Sequence, residues 1–399
     1  MNMGLRAHFG IVAALALAAG CHGSNLTPDG GTAGSGGGTG GSSGGGTGGG
    51  GTFTPTRNVD VLFMIDDSSS TEKMQANLRS NFPTLITTLQ GSPGGLPNIH
   101  LAVITSDMGA GDGSIAGCDK TGGKQGIFRY TAGGTCTATN LQAGATFISD
   151  VSDIANYTGQ LSDVFSCIAQ VGSAGCGFEQ PLAAVARALG ADGNPAPAEN
   201  AGFLRPDALL MIVIVTNEDD CSVPEGSGLF DTASNLNLGS ALGPPQNFRC
   251  NEFGHLCNGA KPPRLAPMGN VTDTVTLTGC TSAEGSGMLT PIATFVSQLR
   301  ALKAFPDQQI FVSAIVAPPT PYIVNWKAPS TADTGPWPIM AHSCIATDMS
   351  FGDPAVRISD FATAFGANGL VLSICDASYA PAFDKVAQQI GRALNPSGH

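Results

Sequence analysis

Within Ile65-Asp66-Asp67-Ser68-Ser69-Ser70, the spacing Asp66-x-Ser68-x-Ser70 sets one carboxylate and two hydroxyls on a tight turn around a single point. Hard oxygen ligands carrying little formal charge suit Mg²⁺, which is usually held by one or two carboxylates and several waters; Ca²⁺ and Mn²⁺ are the other candidates. The turn follows the apolar run Val59 to Ile65 and opens a helical pattern. In open α/β sheets ligands gather at this place, the carboxyl ends of the strands. The competing reading is a polar helix start, since Ser69 and Glu72 have capping-box spacing. That reading leaves Asp66 and Ser68 without a role. The acidic run Glu218-Asp219-Asp220 is either part of the same site or a solvated loop, and Asp107, Asp112 and Asp119 read as surface solvation because they lack the signature of a Ca²⁺ loop.

Catalytic readings find less support. Ser70-Thr71-Glu72-Lys73 matches SxxK and Lys120-Thr121-Gly122 matches KTG, two of the three signatures of serine β-lactamases, but no Ser-Asp-Asn lies between them and the KTG sits in a Gly-rich, Cys-bordered loop. A Ser70/Lys73 hydrolase is therefore the minor alternative. No GxSxG elbow, P-loop or dinucleotide fingerprint is present, and the glycine-rich tract precedes the first strand instead of following it.

The elements that must position these groups alternate short apolar runs with helical patterns, as in βα units around a mostly parallel sheet. Strands are predicted at Val59 to Ile65, Ile99 to Thr105, Thr146 to Val151 (an edge), Ala208 to Thr216 (central, almost unbroken Leu, Met, Ile and Val), Gln309 to Val316 and Gly369 to Cys375. Helices are predicted at Thr71 to Gln90, kinked at Pro83, and at Leu161 to Val171, Glu179 to Leu189, Pro291 to Phe305 with Thr290 as its cap, from Asp353-Pro354 onward, and at Pro381 to Leu394. These elements suit one three-layer, doubly wound α/β domain over residues 55–399, with insertions at about 109–145, 221–289 and 317–352.

With this strand-to-helix setting, the DxSxS turn resembles the metal-ion-dependent adhesion site of von Willebrand factor type A domains, and the resemblance covers about Asn58 to Leu394, insertions excepted. It implies that Ser68 and Ser70 bind the metal directly, that Asp66 holds it through water, and that a partner's carboxylate fills the open position. The family's threonine should fall within Gly172 to Glu179, where no threonine exists, so the resemblance leaves Glu179 or Ser173 to substitute. The family's last aspartate corresponds to Asn217, with Asp219 as a residue that could reach inward instead. A glutamate ligand at 179 would grip the metal more and an acidic partner less.

The chain ends speak to compartment. Residues 1–20 place Arg6 and His8 before the apolar run Phe9 to Ala19, the pattern of a secretory signal. Ala18-Ala19-Gly20-Cys21 resembles the lipobox of bacterial lipoproteins, which implies a lipid on Cys21; His22 after it, not being aspartate, points to the outer membrane. Residues 21–54 read as a tether: residues 30–51 hold 15 glycines, a flexible coil with a reach of roughly 25 Å. Ten further cysteines, Cys118, Cys136, Cys167, Cys176, Cys221, Cys250, Cys257, Cys280, Cys344 and Cys375, read as disulfides in an exported chain, with Cys118/Cys136 and Cys167/Cys176 as the expected neighbouring pairs. No CxxC favours zinc. Only 12% of residues are charged and the formal net charge is −12, which argues against nucleic acid as a partner. The expected function is an anchored, extracytoplasmic binding protein whose partner is a protein or cell-surface ligand; the non-metal alternative is a disulfide-hardened scaffold that binds through its insertions.

Overall fold

Leu209–Val215 consists only of Leu, Met, Ile and Val and is buried at every position, as a strand covered on both faces must be. In the computed structural model, which describes residues 53–395 except 234, 235, 286, 330–332 and 334, this strand lies inside a seven-stranded sheet. We number its strands β1 (Asn58–Ile65), β2 (Asn98–Thr105), β3 (Ile148–Val151), β4 (Ile154–Ala155), β5 (Leu209–Val215), β6 (Ile310–Val316) and β7 (Gly369–Ser373). The spatial order is β7-β6-β5-β1-β2-β3-β4. All pairings from β7 to β2 are parallel, while β3 and β4 close one edge in antiparallel fashion. The signal and lipidation residues, Cys21 and His22 among them, and the tether up to residue 52 lie outside the described residues, whereas Phe53, assigned to the tether, packs against Phe305 with ring centroids 6.1 Å apart. Among those described, no helix is long and apolar enough to cross a membrane.

The helices are α1 (Glu72–Gly91), α2 (Leu161–Ile168), α3 (Pro181–Ala188), α4 (Phe248–Gly254), α5 (Ile292–Arg300), α6 (Pro306–Gln309), α7 (Val356–Thr363) and α8 (Ala380–Leu394). Strand alternation divides the core between two faces. Val59, Val61, Phe63 and Ile65 of β1 pack with α1, α2 and α8, where the Phe82 and Phe165 rings stack at 3.7 Å. Leu62 and Met64 of the same strand pack on the other side with α3, α5 and α7. A mixed α/β body with helices on both faces of a mostly parallel sheet follows. Because β1 is paired on both sides and apolar on both faces, the turn after Ile65 is held at the sheet's carboxyl rim.

Several expectations change in detail. The expected cysteine pairs are not formed: the bonds are Cys118–Cys176 and Cys136–Cys167, nested instead of adjacent, together with Cys221–Cys250, Cys257–Cys280 and Cys344–Cys375. The reason is topological. The loop before α3 is folded against the 109–145 insertion, so the inner pair closes at the end of α2 and the outer pair binds that loop. α5 ends at Arg300, and its first free amides, Ile292 and Ala293, are capped by the Glu284 carboxylate at 2.9 and 3.2 Å; the Thr290 side chain does not cap it. The insertions also carry sheet of their own, including a three-stranded sheet of Thr274–Leu277, Tyr322–Lys327 and Trp337–Met340.

Candidate functional site

Asp66 leaves β1 with its backbone amide still donating to Val215 O at 2.9 Å, which locks the turn to the end of β5. Its side chain is fully buried. One oxygen accepts from the Ser68 amide at 2.8 Å and the Ser106 hydroxyl at 3.3 Å; the other accepts from Thr216 Oγ1 at 2.6 Å. Burial raises the Asp66 pKa, opposed by these donors. Four chain segments, the ends of β1, β2 and β5 and the DxSxS turn itself, therefore agree on where this carboxylate points.

Ser68 is 4% exposed. Its Oγ lies near the Asp66 carboxylate and favours the ionised acid, yet it forms no hydrogen bond. Ser70 Oγ contacts the Asn217 side-chain amide, 3.0 Å from Nδ2 and 3.4 Å from Oδ1. Asp67, next in the chain, faces away from this pair toward Lys124, whose ammonium forms an ion pair with it; burial nevertheless raises Asp67 to about 6. The local turn is not a capping box. Thr71 occupies the N-cap position with no side-chain cap, and Glu72 instead accepts from Ser173 Oγ at 3.0 Å.

Opposite the turn comes Glu179, at the foot of α3. It is 2% exposed, and its Oε1 has no hydrogen-bond partner. Burial, followed by the charges of Glu218 and Asp66, pushes its pKa well above the ordinary glutamate value. Glu218 faces it and is raised to about 8, by burial first and then by Asp353 and Asp66. Of the two residues that could stand for the missing threonine, Glu179 is brought to the turn, whereas Ser173 is spent on Glu72. Gly175 makes the approach possible: its amide donates to Asp67 O at 2.7 Å, and a methyl group there would overlap the Asp67 carboxylate. Cys118–Cys176 then staples the same loop to the 109–145 insertion.

Asp219 does not join this group. One of its oxygens accepts from His255 Nε2 at 2.9 Å and from the Arg357 amide at 2.8 Å, and the other accepts from the Ile358 amide at 3.1 Å. It thus caps α7 and holds a buried histidine, and hydrogen bonding keeps its pKa low against burial. His255 in turn bonds Tyr322 Oη at 2.8 Å, so Asp219 ties the sheet rim to the accessory sheet. Asp220 is likewise occupied, by Arg357 at 3.0 Å. Glu218, not Asp219, is the acidic residue of that run that faces Glu179. The sequence marked the run but not which member points inward, because the partners that turn Asp219 away come from an insertion 36 residues further along and from α7, 138 residues further along.

The catalytic alternative loses its geometry. Lys73 is exposed and donates to the Asp348 carbonyl, while Ser70 pairs with Asn217, so the two SxxK side chains are directed apart. Asp107 and Asp112 each accept from an amide two residues on, in separate turns.

Among the described residues, no three His, Cys, Asp or Glu side chains form a metal cage by themselves. Hydroxyls would have to complete the ligand set, and this is where the unpartnered atoms are found. Buried polar groups normally find partners. Here Ser68 Oγ and Glu179 Oε1, each on a residue that interacts with the Asp66 carboxylate, do not. Glu179 also lines a cleft of about 230 Å³, together with Glu218, Asn247, Lys327, His342 and Asp353, among others.

No protein-family model and no curated protein matches the chain. Among solved structures it is similar to the pilus adhesin SpaC of Lactobacillus rhamnosus GG in its open conformation, with 13% identity over 86% of this chain and 30% of that one, at a TM-score of 0.34. It is also similar to the pilus adhesin RrgA of Streptococcus pneumoniae, with 10% identity over 85% of this chain and 44% of that one, at a TM-score of 0.31. The chain spans less than half the length of either.

Proposed function

We propose that this chain is an exported, lipid-anchored binding protein of the von Willebrand factor type A kind, whose sheet rim holds a divalent cation, Mg²⁺ first, between Asp66, Ser68, Ser70 and Glu179. The observation that carries the reading is the pair of buried, unpartnered oxygens, Ser68 Oγ and Glu179 Oε1, on residues that both interact with the buried Asp66 carboxylate. A dication supplies what each lacks, since it accepts lone pairs where no protein donor is aimed. It also suits the raised pKa of Glu179 and Glu218, which comes from burial first and then from the carboxylates around them. Asn217 would act through Ser70, orienting its hydroxyl at 3.0 Å. The ligand is then a group on a protein or cell-surface partner that completes the cation's coordination.

Export is supported by the short apolar run ahead of Cys21, the glycine tether after it and five disulfides, which persist in oxidising compartments. Calorimetric titration with Mg²⁺ of the parent and of a Ser68→Ala/Ser70→Ala variant tests the metal reading. A binding isotherm in the parent that disappears in the variant is expected; equal affinity in the two would refute it.

A second reading, partner binding through the insertions without metal, is favoured by one observation. Leu265, Met268 and Val271 stand 63%, 78% and 52% exposed on a single insertion loop. Binding of envelope proteins that survives a chelator and fails when these three are changed to serine supports that reading over the first.

A further inference from the structure

The loop that displays Leu265, Met268 and Val271 is held rigidly from inside. At its root the Arg264 guanidinium pairs with both oxygens of Glu252, at 2.8 and 2.7 Å, and donates to Leu238 O, Ser240 O and Ala241 O. The Arg264 carbonyl accepts from the buried Trp326 Nε1 at 3.0 Å. At the far end lies Asp273, 3% exposed. One of its oxygens accepts from the Met268 amide at 2.7 Å and the Asn270 amide at 3.3 Å; the other is buried too. Two turns fill the space between, closed by Gly269 N to Ala266 O at 3.1 Å and Asp273 N to Asn270 O at 3.2 Å.

The tip therefore presents side chains while its backbone is already occupied. The amides of Met268, Gly269 and Asn270 all donate within the loop, and the Met268 carbonyl accepts from Asn270 Nδ2 at 3.1 Å. A protein partner that adds a strand needs such groups free. Hydrocarbon demands the reverse, because an unpaired amide finds no water there. The charge pattern agrees. No Asp or Glu lies between Glu252 and Asp273 in a chain of net charge −12, and Lys261 is exposed four residues before Leu265. Arg264 is answered by Glu252, and Lys327 lines the acidic cleft, so neither is counted. Apolar side chains beside a basic residue, with no exposed carboxylate among them, suit the boundary between phospholipid headgroups and acyl chains.

We infer that this loop is a membrane-docking element: Leu265, Met268 and Val271 enter the interfacial layer of a phospholipid bilayer, with Lys261 beside the headgroups. This rests on the second reading above, in which the insertions bind without metal, and names a bilayer in place of a protein as what they meet. The anchor proposed at Cys21 holds the chain at such a surface; the loop adds a second, shallower contact that selects the face turned toward lipid.

The test uses the chain from His22 onward, which keeps every described residue and leaves out the signal and the acylation cysteine. It is mixed with vesicles of equal parts phosphatidylcholine and phosphatidylglycerol, and binding is read by co-sedimentation in chelator. Three proteins are compared: the parent, Leu265→Ser/Met268→Ser/Val271→Ser, and Ile345→Ser/Met349→Ser, which removes exposed apolar side chains from the 317–352 insertion instead. The parent should sediment with the vesicles, the loop variant should bind at least about tenfold more weakly, and the Ile345/Met349 variant should match the parent. A parent that ignores the vesicles, a loop variant that binds them as well as the parent does, or an equal loss in the Ile345/Met349 variant overturns the proposal. Capture of envelope proteins is measured alongside to separate the two failures. If it depends on the loop while the vesicles are ignored, the second reading stands and the bilayer falls; if the loop variant keeps its envelope proteins and its vesicle binding unchanged, both fall.

Discussion

Ser68→Ala should invert its effect on stability depending on whether Mg²⁺ is present. In the metal-free protein Ser68 is 4% exposed, and its hydroxyl has lost water without gaining a hydrogen bond. A buried, unsatisfied polar group of this kind costs about 1–3 kcal/mol. Its residual attraction to the Asp66 carboxylate offsets part of that cost. The Ala variant should therefore be as stable as the parent or up to about 1–2 kcal/mol more stable, where truncating a hydrogen-bonded serine would cost about 1 kcal/mol. Mg²⁺ reverses the order. At a free concentration 100 times its dissociation constant, a cation that binds only the folded state adds about 2.7 kcal/mol; if the loss of one ligand weakens binding about 100-fold, the same concentration adds only about 0.4 kcal/mol to the variant. The parent should then lead by about 0.3 to 2.3 kcal/mol. Urea denaturation followed by circular dichroism, in chelator and in excess Mg²⁺, measures both arms. A variant less stable than the parent by the same amount under both conditions would show that Ser68 is an ordinary structural hydroxyl, and the reasoning from its unpartnered oxygen would fail.

Other consequences follow from residues around the site. Gly175→Ala places a methyl against the Asp67 carboxylate and should shift the loop that delivers Glu179, lowering Mg²⁺ affinity about tenfold or more in a titration although no ligand is changed. Replacing Cys118 and Cys176 by serine opens a loop of 58 residues and should cost about 4 kcal/mol in chemical denaturation, with Mg²⁺ affinity falling alongside because the same loop carries Glu179. Asp60, buried beside Arg205 beneath the sheet's other end, is raised to about 6 chiefly by burial. The folded state thus keeps a proton that the unfolded chain releases near 3.8, so the associated stability is complete below that pH and is lost as pH rises through 6. Asp60→Asn should flatten this fall, which amounts to about 3 kcal/mol, in denaturation curves taken from pH 4 to 7; an unchanged slope would remove Asp60 as its source.

The sheet was legible because period and composition agree: β1, β2, β5 and β6 are apolar runs buried on both faces, and α1 and α8 carry their apolar residues at helical spacing. The DxSxS turn was legible for the same reason, since it sits where such a strand must end. What could not be read depended on contacts distant in sequence. The nested disulfides need the knowledge that the loop before α3 meets the 109–145 insertion. The choice between Glu218 and Asp219 is made by His255 and the α7 amides, and the cap of α5 comes from Glu284 across an insertion turn. The accessory sheet was missed because its strands are short and half-exposed, with no long apolar run to announce them.

The position of the cation tests the central claim most directly. Crystals grown or soaked with Mn²⁺ and measured at a wavelength where manganese scatters anomalously should show one strong difference peak within about 2–2.5 Å of Ser68 Oγ, Ser70 Oγ and a Glu179 oxygen, with Asp66 in reach through water. A protein that crystallises with these side chains in the same places but shows no peak there, or shows one only at a distant surface, would contradict the account.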